Sequence, residues 1–125
     1  MSKKILVVED SQTQLSIIKD GLETAGYSVV TAGDGEEALE KYRSEGPDLI
    51  ILDIMLPKLD GYGVAKRIRS EEPPERRLPI IMLTARTAQK DGEAGFASGT
   101  DVYLKKPFDP DKLLKLVKKY LEQNK

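Results

Sequence analysis

The chain has neither cysteine nor histidine, and these two absences narrow its chemistry more than any other feature. Without cysteine there are no disulfides, no thiolate nucleophile and no sulfur-ligated metal. Without histidine there is no Ser-His-Asp triad, no imidazole-ligated zinc and no phosphohistidine of the protein's own. Tryptophan is missing too. No apolar run approaches the ~20 residues that span a bilayer. Met1-Ser2-Lys3-Lys4 leads into an apolar run rather than a signal peptide, so a cytoplasmic location without a membrane partner is expected. Glycine-rich phosphate loops of the P-loop or dinucleotide kind are absent as well. What remains must run on carboxylates, hydroxyls, amines and backbone groups.

Charge is abundant and nearly balanced, with 20 basic against 21 acidic residues and a net charge of −1. That balance gives no general reason for direct nucleic-acid binding. It hides an asymmetry, since residues 1–62 carry −6 and residues 63–125 carry +5. A length of 125 residues with 39% hydrophobic content suits one domain over 1–125.

Short β-branched runs alternate with amphipathic stretches five times, the pattern of a parallel sheet covered by helices on both faces. The spacing predicts strands over 4–8, 28–31, 49–52, 80–83 and 102–104. A first helix over 11–25 puts Leu15, Ile18, Leu22 and Ala25 on one stripe and stops at Gly26. A second starts at Asp34, with Glu37 three residues on as in a capping box, and carries Ala38, Leu39 and Tyr42. A third follows Asp60-Gly61 with Val64, Ala65 and Ile68, after which Pro73-Pro74 stiffens the return to the sheet. The last opens with Asp109-Pro110 and buries Leu113, Leu116, Val117 and Tyr120. Residues 88–98 form the weakest helix and the expected most mobile element, because Gly92 and Gly95 each cost about 1 kcal/mol against alanine.

The run Leu49-Ile50-Ile51-Leu52 stops at Asp53, and Ile5-Leu6-Val7-Val8 stops at Glu9-Asp10. If these strands are neighbours, three carboxylates gather at one sheet end, where open parallel sheets bind ligands. Unit charges about 4 Å apart repel by roughly 4 kcal/mol at an effective dielectric near 20. Such a cluster suits an oxygen-ligated Mg²⁺ and a carboxylate placed to react with a metal-bound phosphoryl group. Thr84, closing the fourth strand, and Lys106, just after the fifth, lie at the same end.

Four pieces in order, each after a predicted strand, resemble the response-regulator receiver domain. They are Val8-Glu9-Asp10; Leu52-Asp53-Ile54-Met55-Leu56-Pro57 with Asp60-Gly61; Leu83-Thr84-Ala85; and Tyr103-Leu104-Lys105-Lys106-Pro107-Phe108. The resemblance covers the whole chain and is of the single-domain, chemotaxis-regulator kind. It implies an α/β fold, a doubly wound (βα)5 unit whose five-stranded parallel sheet has the flavodoxin-like order 2-1-3-4-5.

By that resemblance Asp53 accepts a phosphoryl group from a phosphohistidine on a sensor histidine kinase or histidine phosphotransfer protein. Asp10, Asp53 and the Met55 carbonyl would bind Mg²⁺ directly, and Glu9 through a metal-bound water. Glu9 stands where many relatives carry aspartate. Lys106 would pair with the carboxylate and then with the phosphoryl oxygens, for which Ala85 leaves room. The Thr84 hydroxyl would move to the phosphoryl group and the Tyr103 ring would turn into the space vacated. The surface of the fourth helix, fifth strand and fifth helix would then control a downstream effector protein, as a monomer or a phosphorylation-dependent dimer. Met55 and Arg86 hold variable positions that tune dephosphorylation, and the Lys106-Pro107 bond is expected to be cis. Such a protein is a phosphoacceptor that assists its own phosphorylation and dephosphorylation, not an enzyme acting on outside substrates.

Plainer readings stand beside these. Asp53 suits a loop or cap, Asp10 competes with Ser11 as helix cap, Thr84 is a good strand residue and Tyr103 suits a fixed core aromatic. Lys112, Lys115, Lys118 and Lys119 fit a solvated helix face or partner docking; Leu114 and Leu121 fit edge packing or a dimer contact. A receiver-like docking module that works without phosphorylation is one competing function. An aspartyl phosphohydrolase is another, but it needs a second acid where Met55 stands. A flavodoxin-like redox role lacks its Ser/Thr-rich phosphate loop.

Overall fold

The computed structural model describes residues 2–84 and 99–123. Five parallel strands, β1 (Lys4–Val8), β2 (Ser28–Ala32), β3 (Leu49–Asp53), β4 (Ile80–Thr84) and β5 (Val102–Lys105), make one sheet in the order β2-β1-β3-β4-β5. The helices described are α1 (Gln12–Thr24), α2 (Gly35–Glu45), α3 (Gly61–Glu71) and α4 (Pro110–Gln123). The helix expected over 88–98, together with Ala85 and Arg86, lies outside the described residues. Four strands run one residue past their expected ends. The ladder continues beyond the last large apolar side chain, pairing Val8 with Ala32, Asp53 with Leu83 and Thr84 with Lys105.

All of β3 and β4, and β1 from Ile5 onward, are buried, which is why they read as continuous apolar runs rather than alternating ones. On one sheet face Ile5, Val7, Ile51 and Leu83 meet α1 and α4. On the other, Leu6, Val8, Leu52 and Met82 meet α2 and α3. Each fully buried Leu or Ile contributes roughly 1.5–3 kcal/mol.

The helix stripes follow the 3.6-residue period with two corrections. Ala25 is exposed, because it is the C-cap of α1 and falls beyond the last turn that faces the sheet. In α4 the inward stripe is Leu113, Val117 and Leu121, while Leu116 and Tyr120 are half-buried; Leu121 is therefore core and not a dimer contact. Lys112, Lys115, Lys118 and Lys119 are exposed. Caps fall where the polar residues suggest. Ser11 Oγ accepts from Gln14 N–H at 3.4 Å, Asp34 Oδ1 from Glu37 N–H at 2.8 Å, and Asp60 Oδ1 from Gly63 N–H at 2.9 Å. Glu37 reaches back to Gly33 N–H at 2.8 Å, one residue further than an ordinary capping box.

Arg69, near the end of α3, ties that helix to the segments that lead into β4 and β5. Its guanidinium donates to the Leu78 carbonyl at 2.7 Å, the Gly99 carbonyl at 2.8 Å, Glu72 at 3.0 Å and Asp101 at 2.9 Å. Asp101 also accepts from Ile80 N–H at 2.7 Å, joining the starts of β4 and β5.

Candidate functional site

The sheet order β1-β3-β4-β5 places the ends of four strands side by side. Glu9 follows β1, held by its N–H on the Ala32 carbonyl at 3.1 Å. Asp10 comes next and is exposed; Ser11, not Asp10, caps α1. Asp53 is the last residue of β3 and Thr84 the last of β4. Lys106 leaves β5 with its N–H on the Thr84 carbonyl at 2.7 Å, and its bond to Pro107 is cis, as expected. Lys105 is exposed, whereas Lys106 is half-buried.

Glu9 and Asp53 are 1% and 5% exposed, and they share one cation. Lys106 Nζ donates to Glu9 Oε2 and to Asp53 Oδ2, both at 2.9 Å. The remaining oxygens are also engaged, Glu9 Oε1 by Ser11 N–H at 3.2 Å and Asp53 Oδ1 by Met55 N–H at 3.1 Å. Burial pushes the Glu9 carboxyl above its ordinary value and the neighbouring Asp53 adds to that, against the downward pull of Lys106 and Ser11. Burial alone would lower the Lys106 ammonium, but its bonds to Asp53 and Glu9 together outweigh it and the net shift is upward.

One carboxylate oxygen from each of Glu9, Asp10 and Asp53 falls within 4.8 Å of the others. Two buried carboxylates share one ammonium and a third acid stands at the rim, so acidic groups outnumber the cation at this point. That donor set fits a hard divalent cation, which takes oxygen ligands and tolerates water in the rest of its shell.

The loop from β3 to α3 is packed tightly enough to fix Met55. Gly61 N–H donates to the Ile54 carbonyl at 2.9 Å, and Gly35 N–H to the Pro57 carbonyl at 3.3 Å. A Cβ on Gly35 would overlap the Leu59 carbonyl, so the close approach of α2 requires glycine there. The Met55 side chain is 59% exposed beside the cluster. Tyr103 is half-buried on the α2–α3 face of β5, and its hydroxyl lies 3.3 Å from that of Tyr62.

Of the residues singled out from sequence, Glu9, Asp10, Asp53 and Lys106 converge on one point, with Thr84 at the end of neighbouring β4 and Met55 in the loop after β3. Three features escaped sequence reasoning: the second bond of Lys106, to Glu9; the Tyr62 contact; and the exposed Ile17, at 59%. Ile17 carries a signal, an isoleucine off the apolar stripe of α1. The other two carry none.

The family model for the response regulator receiver domain matches residues 5–118. The alkaline phosphatase synthesis transcriptional regulatory protein PhoP of Bacillus subtilis is 46% identical over 124 residues, which is 99% of this chain and 50% of that protein. The chain thus spans about half the length of the curated relatives it matches. A putative response regulator from Chloroflexus aurantiacus superposes with a TM-score of 0.89 at 40% identity, covering 98% of this chain and 99% of that one. The receiver domain of sensor histidine kinase PA1611 from Pseudomonas aeruginosa, solved with a magnesium ion coordinated in its active-site cleft, superposes at 0.88 with 35% identity over 98% of this chain and 99% of that one. Sequence, sheet order and the clustered acids agree, and the chain belongs to the response-regulator receiver domain family of two-component signalling.

Proposed function

We propose that this receiver domain takes a phosphoryl group onto Asp53 from the phosphohistidine of a sensor histidine kinase or histidine phosphotransfer protein, in a Mg²⁺-dependent reaction. The observation that carries this reading is the single ammonium of Lys106 bridging two buried carboxylates, with a third acid within 4.8 Å. Asp10, Asp53 and the Met55 carbonyl would hold the ion directly, with Glu9 acting through water. When bound, the ion supplies charge neutralisation for phosphoryl oxygens.

Asp53 is the nucleophile: a carboxylate oxygen forms the new bond to phosphorus as the bond to the donor imidazole breaks. Met55 N–H on Oδ1 orients the carboxylate so that Oδ2 faces the incoming group. Lys106, freed from Asp53 Oδ2, follows the charge onto a phosphoryl oxygen. The Thr84 hydroxyl then binds a second phosphoryl oxygen, and the Tyr103 ring follows, shifting the surface of residues 88–98, β5 and α4 that an effector reads. Met55 and Arg86 set access of water to the acyl phosphate.

Incubation with acetyl phosphate and Mg²⁺, read by intact mass, tests this. One phosphoryl group should add to the wild type and none to Asp53→Asn or to wild type in EDTA. An unchanged wild-type mass, or a phosphoryl group mapped to another residue, overturns the reading.

A further inference from the structure

Tyr62, the second residue of α3, meets Tyr103 of β5 hydroxyl to hydroxyl at 3.3 Å. Both rings are half-buried against the same core face. The start of α3 sits directly on the end of β3. A Cβ on Gly61 would come within 2.5 Å of the Asp53 carbonyl oxygen, and one on Gly63 within 2.5 Å of the Leu59 side chain. Tyr62 thus directly follows a glycine, Gly61, whose lack of a side chain lets this helix start touch the backbone of Asp53 itself. Because α3 begins at the carboxyl end of the sheet, a Tyr103 hydroxyl that meets Tyr62 is directed toward that end.

We propose that Tyr62 is a positioning residue that holds the Tyr103 ring toward the phosphorylation end of the sheet and couples it to the Asp53 backbone through the first turn of α3. The proposal rests on the reading of Asp53 as phosphoacceptor and Tyr103 as switch residue. It gives the ring a tie to the site that does not pass through Thr84. A shift of the β3 end moves Gly61, Gly61 carries Tyr62, and the hydroxyl pair strengthens or weakens with it. At 3.3 Å the pair is long for two hydroxyls. Its effect therefore lies at the low end for a neutral hydrogen bond, about a two- to fivefold bias.

The test is a double-substitution cycle of Tyr62→Phe and Tyr103→Phe in the full chain, reading affinity for beryllofluoride in Mg²⁺ by titration and the Tyr103 ring signals by NMR. Tyr62→Phe keeps the ring and removes only the hydroxyl. Affinity should fall about two- to fivefold, the Tyr103 ring signals should shift, and Tyr62→Phe should add nothing in the Tyr103→Phe background. Mg²⁺ affinity without beryllofluoride should stay the same. Unchanged or increased beryllofluoride affinity, additive effects, or a parallel loss of Mg²⁺ affinity overturns the proposal and leaves the phosphoacceptor reading standing. If the unsubstituted chain does not bind beryllofluoride at all, both fall.

Discussion

Replacing Asp53 by asparagine should stabilise the metal-free protein and destabilise it, relative to wild type, once Mg²⁺ is added. Asp53 Oδ2 sits 2.9 Å from the Lys106 ammonium, an attraction of about 6 kcal/mol at an effective dielectric near 20. The repulsion from Glu9, within 4.8 Å, is at least about 3.5 kcal/mol on the same scale. Asp10 is exposed, so screening leaves its repulsion at about half that. These terms cancel to within about 1 kcal/mol, and desolvation decides the sign. Burying the carboxylate costs several kcal/mol that an amide avoids. The asparagine oxygen can keep the Met55 N–H; its NH₂ then takes the Oδ2 position, where it cannot accept from Lys106, and donates toward Glu9 once Lys106 has withdrawn to Glu9 Oε2. The variant should gain about 1–2 kcal/mol in EDTA, or about 4–8 °C in Tm for a chain of this size. Mg²⁺ at a hundred times its Kd adds about 2.7 kcal/mol to the wild type, and less to a variant that has lost a ligand, so the order inverts. Thermal unfolding followed by circular dichroism, in EDTA and in Mg²⁺, reads both signs. A variant less stable in EDTA, or equal gains from Mg²⁺, refutes the reasoning.

The raised Glu9 carboxyl keeps a proton in the folded chain that the unfolded chain loses near its ordinary 4.5. The stability it contributes is complete below that pH and declines as pH rises through the folded value. Urea unfolding in metal-free buffer should show that decline flattened in Glu9→Gln, and an equal slope would count against it. Gly35→Ala should lose about 1–3 kcal/mol against the Leu59 carbonyl, whereas Gly21→Ala, inside α1 with open space around it, should gain about 0.5–1 kcal/mol. Matching urea midpoints for the two would deny the close approach. Asp101→Asn weakens the bonds to Arg69 and Arg77 and should cost about 1–2 kcal/mol, because Arg69 keeps Glu72 and two carbonyls. An unaltered Tm would show the network contributes nothing.

The strands and most caps are legible in the sequence for a physical reason. Parallel strands buried on both faces leave solid apolar runs, and the first carboxylate after each run marks the sheet edge, as Asp53 does after Leu49–Leu52. Convergence of Glu9, Asp10, Asp53 and Lys106 needed the strand order as well, which local pattern does not carry; the receiver motifs supplied it. Lys106 and Glu9 are 97 residues apart, and Tyr103 and Tyr62 are 41 apart, so neither contact leaves a periodic trace. Periodicity alone misplaces Ala25 and Leu121. It carries the α1 stripe past its cap, and heptad spacing pairs Leu121 with Leu114 although Leu121 lies on the Leu113-Val117 stripe.

The most direct examination of Asp53 as phosphoryl acceptor is a crystal structure grown with Mg²⁺ and beryllofluoride. Beryllium should be bonded to an Asp53 carboxylate oxygen, with the metal ion held by Asp10, Asp53 and the Met55 carbonyl. Lys106 Nζ should have left Asp53 Oδ2 for a fluoride. An empty rim, with Lys106 still bridging Glu9 and Asp53, would contradict it.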